Sequence, residues 1–341
     1  MWTPFKRTAF RMDHIRIELG SPDEVSNGTE GIPLIINSIF TGSDKSTAVA
    51  LDDLGPDYDI SPKGASAYRR FYGLSAVNRC EEDLFSMLGD TLRRALSAIP
   101  DASGQPGQLI YCKTQTHNTF GADGWLRELA DAHGLSRWEA FSVTMTNCAS
   151  ATVAMHFLNL SATDGPIVLI TGEKAFHPGV SVLSVGLLSE LPTASVFNVD
   201  GSGWQMVESH VQHLGEFYEN PDQMQMAARK RLQEVYAPAL CHFVEDCLSK
   251  YEPYLRHDTV LIPHNLNLPV MRAIVRQIDW EDRVYYGDVA HHGHAYCSDL
   301  LLNLDRWATA QDETLSEQVI LVAAGTGVTF ASCLLERRRL S

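Results

Sequence analysis

The chain has 341 residues, of which 45% are hydrophobic and 20% charged, and its formal net charge is −15 at pH 7. This composition is that of an ordinary globular protein. The acidic surplus argues against binding to nucleic acid or to anionic membrane surfaces, since both need clustered Lys and Arg. No apolar run reaches the roughly 18 to 20 residues of a membrane span, and the start, MWTPFKRTAFRMDH, lacks the apolar stretch of a signal peptide. We therefore expect a cytoplasmic protein.

The cysteines are scattered along the chain. There are seven of them, an odd number, and no two form a CxxC pair, so neither a disulfide framework nor a zinc ribbon is indicated. We expect most of them to be reduced and buried. They are Cys80, Cys112, Cys148, Cys241, Cys247, Cys297 and Cys333.

The first part of the chain gives its clearest signals after residue 80. Residues 20–66 are rich in Gly, Pro, Ser and Asp around one apolar patch, IPLIINSIF, and predict irregular or capping structure rather than a packed sheet. Residues 81–98 place leucines on one helical stripe, with acidic residues in the first turn, where the helix dipole favours them. The elements predicted next are a strand at 107–113, a short helix closed by Gly134, a strand at 141–146, a helix from Cys148 to about Leu160 and a strand at 166–170.

The second part repeats this alternation. The predicted elements are a strand at 193–199, a long helix from about Met224 to Tyr251 bent at Pro238, a strand and a helix on either side of His264, and two late strands joined by a Gly-containing turn. Alternating strands and helices predict a layered α/β fold. We divide the chain into an N-terminal half with the cysteine, residues 1–195, and a C-terminal half with the histidines, residues 196–341.

Cys148 lies where a predicted strand ends and a helix begins. Backbone N–H groups and the helix dipole stabilise a thiolate at such a position, which favours a nucleophile. A buried structural cysteine is the alternative, because a free cysteine also behaves as a small apolar residue.

His264, in IPHNLN, has the same placement between strand and helix. A helix N-terminus disfavours imidazolium and keeps a neutral ring available for chemistry, although a lone histidine there is more often structural. His291, His292 and His294 form the run HHGH, for which we expect no metal, because it lacks matched carboxylates or cysteines.

The segment GTG, residues 325–327, lies between two predicted strands rather than between a strand and a helix. It therefore does not fit a dinucleotide or P-loop fingerprint, and we expect no cofactor. Glycine at this position is suited to letting the backbone approach a ligand closely.

Taken together, a cysteine at a helix start, PHNLN, HGH and GTGVTFAS, in this order and spacing, resemble the ketoacyl-carrier-protein synthase III family of the thiolase fold. The resemblance runs from about residue 81 to the end and implies a thiolase-like layered αβαβα architecture built from two similar halves. It implies that Cys148 accepts the acyl group and that His264 and His294 are catalytic. The substrate-binding residues that it implies are Asn267, Gly325, Thr326 and Gly327.

The chain also departs from the family pattern. Gly293 and His294 place a histidine where the family's G-N motif has its catalytic asparagine, and Thr326 replaces the central glycine of the loop. Pro269 replaces an arginine near which carrier protein commonly docks, with Arg272 the nearest substitute, and the family's Trp-containing coenzyme A clamp is not evident in residues 20–70. The acyl thioester is therefore carried either by acyl carrier protein or by coenzyme A.

The mechanism that the resemblance implies has two half-reactions. Cys148 attacks an acyl thioester, and backbone N–H groups of Cys148 and of residues 325–327 hold the oxyanion, each contributing roughly 3 kcal/mol. If His264 and His294 both donate N–H to a thioester carbonyl, they permit decarboxylative Claisen condensation. If one of them accepts a proton, it activates an amine or alcohol for simple acyl transfer.

We favour a condensing acyltransferase of specialised metabolism. The alternatives are a related acyltransferase that forms a C–O or C–N bond, and a non-catalytic partner subunit of an active relative. The resemblance further implies a homodimer with the active site near its interface.

Overall fold

The computed structural model describes residues 33–42, 45–114, 124–144, 146–161, 165–175, 177–183, 185–219, 224–310, 316–325 and 328–339. The helices in these ranges are α1 (Pro62–Tyr72), α2 (Leu84–Leu96), α3 (Trp125–Ala132), α4 (Ser150–Leu160), α5 (Met226–Tyr251), α6 (Leu268–Gln277), α7 (Val289–His292) and α8 (Asp299–Ala310). The strands are β1 (Ile35–Thr41), β2 (Ser46–Ala50), β3 (Ala76–Cys80), β4 (Gly107–Cys112), β5 (Trp138–Val143), β6 (Ile167–Thr171), β7 (Val182–Leu183), β8 (Gly186–Leu187), β9 (Thr193–Phe197), β10 (Gly203–His213), β11 (Val260–Pro263), β12 (Gln318–Gly325) and β13 (Thr329–Arg338).

Nine of these strands join in one mixed array with the order β11-β12-β13-β10-β1-β9-β6-β4-β5. β1 lies in its middle and pairs antiparallel with β9 on one side and β10 on the other. β5 and β6 run parallel to β4, and β11 runs parallel to β12. Strands from the two parts of the chain therefore meet at β1.

Alternation along the strands shows how the helices are layered. In β4, Leu109 packs in the same cluster as α2 and α3, whereas Ile110 packs with α4 and α8. In β12, Ile320 packs with α5 and α6, whereas Leu321 faces the same cluster of α4 and α8. Because successive side chains of a strand point to opposite faces, α4 and α8 lie between the two groups of strands. The predicted αβαβα architecture of two similar halves is confirmed.

Most elements predicted from periodicity are present. α2 begins after Asp83, whose carboxylate accepts the backbone N–H of Ser86 at 2.8 Å, as expected for an N-cap. α5 contains Pro238 within its 26 residues. Six of the seven cysteines are buried, and Cys148 is partly exposed. The boundary between residues 195 and 196, which falls within β9, stays a prediction.

The prediction for residues 20–66 is wrong where the structure describes them. β1, the strand at the middle of the array, begins within the patch IPLIINSIF and ends at Thr41, and Leu34, Ile35 and Ile36 are buried. β2 also lies in this segment and pairs with β3. The flanking Gly, Ser and Asp residues suggested loops, but pairing on both sides gives β1 hydrogen-bond partners that local composition does not reveal.

No helix in the described part of the chain is long and apolar enough to cross a membrane.

Candidate active site

Cys148 lies in a short 3-10 turn, Asn147–Ala149, between β5 and α4. Asn147 has a φ of +50°, in the left-handed region, which reverses the chain ahead of the cysteine. The Ser150 hydroxyl donates to the Asn147 carbonyl at 2.7 Å and lies 2.9 Å from the Thr146 hydroxyl. α4 is apolar and mostly buried, so this turn is anchored on a helix in the core.

The end of β12 approaches the cysteine turn closely. A Cβ at Gly325 would lie 2.2 Å from the carbonyl oxygen of Thr146, so only glycine fits there without a shift of the backbone. Gly325 therefore lies beside the turn that holds Cys148. Thr326 and Gly327, predicted with it as substrate-binding residues, lie outside the described residues.

His264 follows β11 directly and is 3% exposed. The backbone N–H of Ala324 donates to its Nδ1 at 3.1 Å, so the neutral ring carries its proton on Nε2. Burial, followed by the neighbouring His294, lowers the pKa of His264 to about 4, although Asp299 opposes the shift. His264 is thus a neutral N–H donor near pH 7.

His294 is fully buried, and its backbone is held by β8 and its extension, because its N–H donates to Leu187 and its carbonyl accepts from Ser189. Its Nε2 lies 3.0 Å from Cys148 Sγ, and the ring centroids of His294 and His264 are 5.9 Å apart. The structure thus brings together Cys148, His264 and His294, the three side chains predicted to be catalytic.

Asp299 is the member of the site that the sequence reasoning missed. It is the first residue of α8, it is 1% exposed, and its Oδ2 pairs with Nδ1 of His294. Backbone N–H groups of Asn265 and Ala295 donate to its two oxygens, each at 2.7 Å. Both carboxylate oxygens therefore have partners, as a buried carboxylate requires.

Asp299 and Cys148 determine the charge on the ring between them. Burial lowers the pKa of His294, but the carboxylate of Asp299 and the sulfur of Cys148 together raise it by more, so the pKa lies well above its ordinary value. A charged His294 in contact with the Cys148 sulfur is therefore the protonation state of the ring that this arrangement favours.

The other two histidines of the HHGH run do not reach this site. His291 is exposed and its Nδ1 pairs with Asp288 at 2.8 Å, while His292 Nδ1 lies 2.7 Å from the amide nitrogen of Asn78. Across the described residues no cluster of His, Cys, Asp and Glu side chains is arranged to hold a metal ion. His294 of the run contacts Cys148, whereas His291 and His292 both lie beside Asp288.

Asn267 has a φ of +55° and caps the start of α6 without a side-chain hydrogen bond to that helix. It is half-buried and lines a cavity that also reaches His294. Its predicted role in substrate binding stays a prediction.

Comparison with known proteins bears on the fold and on the family that the chain resembles. Residues 256–337 match the family model described as 3-oxoacyl-[acyl-carrier-protein (ACP)] synthase III C terminal. The C-terminal part of the chain is thus similar to synthase III proteins, and the chain has the thiolase fold. No curated protein sequence matches it.

Solved structures resemble this chain over most of its length. ChlB3, described as an acyltransferase, has a TM-score of 0.74 at 11% identity and covers 89% of this chain and 98% of its own. The 3-oxoacyl-[acyl-carrier-protein] synthase III of Aquifex aeolicus VF5 has a TM-score of 0.69 at 14% identity, over 89% and 99% of the two chains. The corresponding FabH of Pseudomonas aeruginosa PAO1 has a TM-score of 0.67 at 16% identity, over 91% and 99%.

Proposed function

We propose that this synthase III-like chain is an acyltransferase that takes an acyl group from a thioester onto Cys148 and passes it to the hydroxyl or amine of a second substrate. The observation that carries the proposal is the continuous contact from Cys148 Sγ through the ring of His294 to the Asp299 carboxylate. Nucleophile, base and orienting carboxylate in hydrogen-bond contact are the parts that covalent acyl transfer needs.

In the loading step, the Cys148 thiolate attacks the carbonyl carbon of an acyl thioester carried by coenzyme A or acyl carrier protein. The tetrahedral intermediate collapses with cleavage of the bond to the carrier sulfur, which takes the proton from Nε2 of His294 and leaves as a thiol. The products are S-acyl Cys148 and a neutral His294. Backbone N–H groups at Cys148 and at residues 325–327 are the expected oxyanion donors.

Asp299 supports simple transfer in the second step because it decides where the remaining proton of His294 lies. A neutral His294 donates Nδ1–H to Asp299, which leaves the lone pair of Nε2 facing Cys148. Nε2 accepts the proton of an incoming O–H or N–H while that oxygen or nitrogen attacks the acyl carbon. The bond between the acyl carbon and Cys148 Sγ breaks, an ester or amide forms, and the thiolate and imidazolium pair is restored.

Decarboxylative Claisen condensation, which the sequence favours, is the second candidate. Its support is His264, whose neutral ring offers Nε2–H to a thioester carbonyl. Enolate stabilisation by both histidines needs a second N–H donor at His294, whereas a neutral His294 paired with Asp299 presents an acceptor there. The family departures support a role in specialised metabolism for either reaction.

The third hypothesis, a non-catalytic partner subunit, is weakened by the intact chain of contacts at Cys148.

We also propose a homodimer. Its support is β5, an end strand of the nine-stranded array, which together with the adjacent end of α4 exposes Phe141, Phe157 and Leu160. Exposed aromatic and aliphatic side chains beside an unpaired strand edge are suited to pairing with a second copy.

The test begins with acylation. Incubation with acyl thioesters and intact-protein mass spectrometry are expected to give an adduct in the parent and none in Cys148→Ala, while Cys112→Ala, a buried cysteine elsewhere, keeps it. No adduct in the parent, or an adduct that persists in Cys148→Ala, would remove the proposal.

Pre-acylated enzyme then distinguishes the two reactions. Single-turnover transfer is measured to alcohols, to amines and to a malonyl thioester, with release of carbon dioxide followed in parallel. For simple transfer, His294→Asn and His294→Ala both lose about 10² to 10⁴ in rate, because neither residue is a base. For condensation, the asparagine amide supplies an N–H donor and His294→Asn keeps most of the rate, with carbon dioxide released.

A further inference from the structure

Tyr236 lies on α5 where that helix passes from the surface into the core. Before it, Met226 and Arg231 are exposed, and after it Leu240 and Phe243 are buried. Tyr236 itself is half-buried, so part of its side chain remains accessible. A molecule that enters the protein along this part of α5 therefore meets Tyr236.

The ring of Tyr236 packs against the strands that approach the nucleophile. It meets Phe330 of β13 edge-on, with the ring centroids 5.7 Å apart. Phe330 lies opposite Ala324 of β12, and the next residue, Gly325, lies against the turn that holds Cys148. β13 also contacts this turn. Tyr236 therefore lies at the same end of β12 and β13 as the nucleophile.

The hydroxyl of Tyr236 is close enough to Cys148 to respond to its charge. Burial raises the pKa of Tyr236, and the sulfur of Cys148 raises it further. The phenol is therefore neutral near pH 7 and has a proton to donate. Cys148 is also partly exposed, so both side chains border accessible space.

An acyl thioester that reaches Cys148 brings a polar group to this place. Coenzyme A and acyl carrier protein both present the acyl group on a pantetheine arm, in which two methylene groups separate the thioester sulfur from an amide. This amide leaves water together with the thioester, and a buried amide needs hydrogen-bond partners. A neutral O–H close to Cys148 is suited to its carbonyl oxygen.

We infer that Tyr236 is a specificity-determining residue of the loading step, whose hydroxyl donates a hydrogen bond to the amide carbonyl nearest the thioester sulfur. The ligand class is an acyl thioester of a cysteamine amide, the part that both carriers share. The amide leaves with the carrier thiol, and no covalent bond to Tyr236 forms. This inference rests on the proposed function only in treating an acyl thioester as the donor to Cys148.

The experiment compares two acetyl thioesters of equal heavy-atom count. S-acetyl-N-acetylcysteamine contains the amide, whereas S-(4-methylpentyl) ethanethioate has hydrocarbon in its place. Loading of Cys148 is followed by intact-protein mass spectrometry in the parent and in Tyr236→Phe, which removes only the hydroxyl. The ratio of the two loading rates, per unit thioester concentration, is expected to fall about tenfold in Tyr236→Phe, because only the amide loses a hydrogen bond. Comparing ratios cancels the different reactivities of the two leaving groups.

The matched control is Tyr251→Phe, the same substitution in the same helix, at a fully buried position roughly 20 Å further along α5. This variant is expected to keep the ratio of the parent. If Tyr236→Phe also keeps it, the phenol does not bind the amide. If Tyr236→Phe slows loading from both thioesters by the same factor, Tyr236 acts on the reacting atoms and the amide assignment is wrong.

Loading from acetyl-coenzyme A and from an acetylated carrier protein distinguishes the two sources of the arm. Whichever of them loads the parent is expected to load Tyr236→Phe about tenfold more slowly. An unchanged rate with that carrier would overturn the inference.

Binding without reaction keeps this inference separate from the proposed function. S-methylpantetheine has the arm but no acyl group, and titration calorimetry is expected to show about tenfold weaker binding to Tyr236→Phe than to the parent. If this difference appears but no thioester acylates Cys148, the assignment of Tyr236 stands and the proposed acyl transfer fails. Equal binding to both proteins, or none to the parent, would contradict the inference.

Discussion

At the scale of single residues, Asp299 changes the interpretation of His294. His294 stands where the family has an asparagine. The sequence alone does not show whether its neutral ring carries the proton on Nδ1 or on Nε2. Asp299 lies five residues later at a helix start, where an acidic residue is commonly explained by the helix dipole alone. In the structure, Tyr296 has a φ of +54° between these two residues, and the Asp299 carboxylate contacts the His294 ring.

We expect Asp299→Asn to reduce acyl transfer from pre-acylated Cys148 by about 10² to 10⁴, because an amide does not hold His294 with its proton on Nδ1. Single-turnover rates measure the effect. Asp305→Asn, the same substitution within α8, is the control and is expected to stay within about threefold of the parent. Equal rates for the parent and Asp299→Asn would show that the carboxylate serves the fold and not the base.

His264 gives a prediction about acid stability. Its pKa is lowered by burial to about 4, so between pH 6.5 and about 4 the unfolded chain binds a proton that the native ring does not. Stability is therefore lost as pH falls through this window. From pH 7 to pH 5, the parent is expected to lose about 2 kcal/mol more free energy of unfolding than His264→Asn.

Urea denaturation at the two pH values measures this difference. His292, whose pKa burial also lowers to about 4, is present in both proteins and cancels. His257→Asn, at an exposed position, is the control and should lose as much stability as the parent. A pH dependence of His264→Asn identical to that of the parent would contradict a neutral buried His264.

At the scale of elements, the sequence predicts those helices and strands whose signal lies within their own residues. α2 and β4 were identified because their apolar periodicity is contained in their own residues. β1 was not, since its place depends on β9 and β10, which lie more than 150 residues further along the chain. Within α2, the side chain of Phe85 is 38% exposed although it is apolar, so apolar residues alone locate the buried face of a helix only approximately.

The sequence predicts a close backbone approach at the end of β12. In the structure, Gly325 at this end lies against the Thr146 carbonyl. We expect Gly325→Ala to slow acylation of Cys148 by tenfold or more and to destabilise the fold, because its Cβ would displace the turn that carries the nucleophile. Gly215→Ala is the matched control, since a Cβ there meets no atom within 4 Å. Mass-spectrometric loading rates and thermal melting would compare them, and equal behaviour would contradict the tight contact.

At the scale of the whole molecule, the site is assembled from both halves. The turn before α4 contributes Cys148, while the end of β11, the end of β12 and the start of α8 place His264, Gly325 and Asp299. The ordered motifs predicted this convergence because the resemblance supplied a known topology. The contact that decides the chemistry, from the Asp299 carboxylate to His294, depends on side-chain placement that no motif spacing encodes.

The proposed homodimer is the remaining property at this scale. β5 ends the nine-stranded array, so in the described part of the chain its outer edge has no strand partner, and Phe141 on it is 41% exposed. Phe157 and Leu160, at the end of the neighbouring α4, are 58% and 70% exposed. A second copy that pairs with this edge would cover all three side chains and extend the sheet.

We expect sedimentation equilibrium to give twice the chain mass for the parent. The double variant Phe141→Glu, Phe157→Glu is expected to weaken association by at least 10²-fold, because two charges would have to be buried against the partner copy. Tyr254→Glu, an equally exposed aromatic position distant in sequence from β5 and α4, is the control and should remain dimeric. Circular dichroism confirms that each variant is folded. Because α4 also anchors the Cys148 turn, dissociation of the dimer is expected to slow the loading of Cys148. A parent that sediments as a monomer, or a double variant that remains dimeric, would contradict this interface.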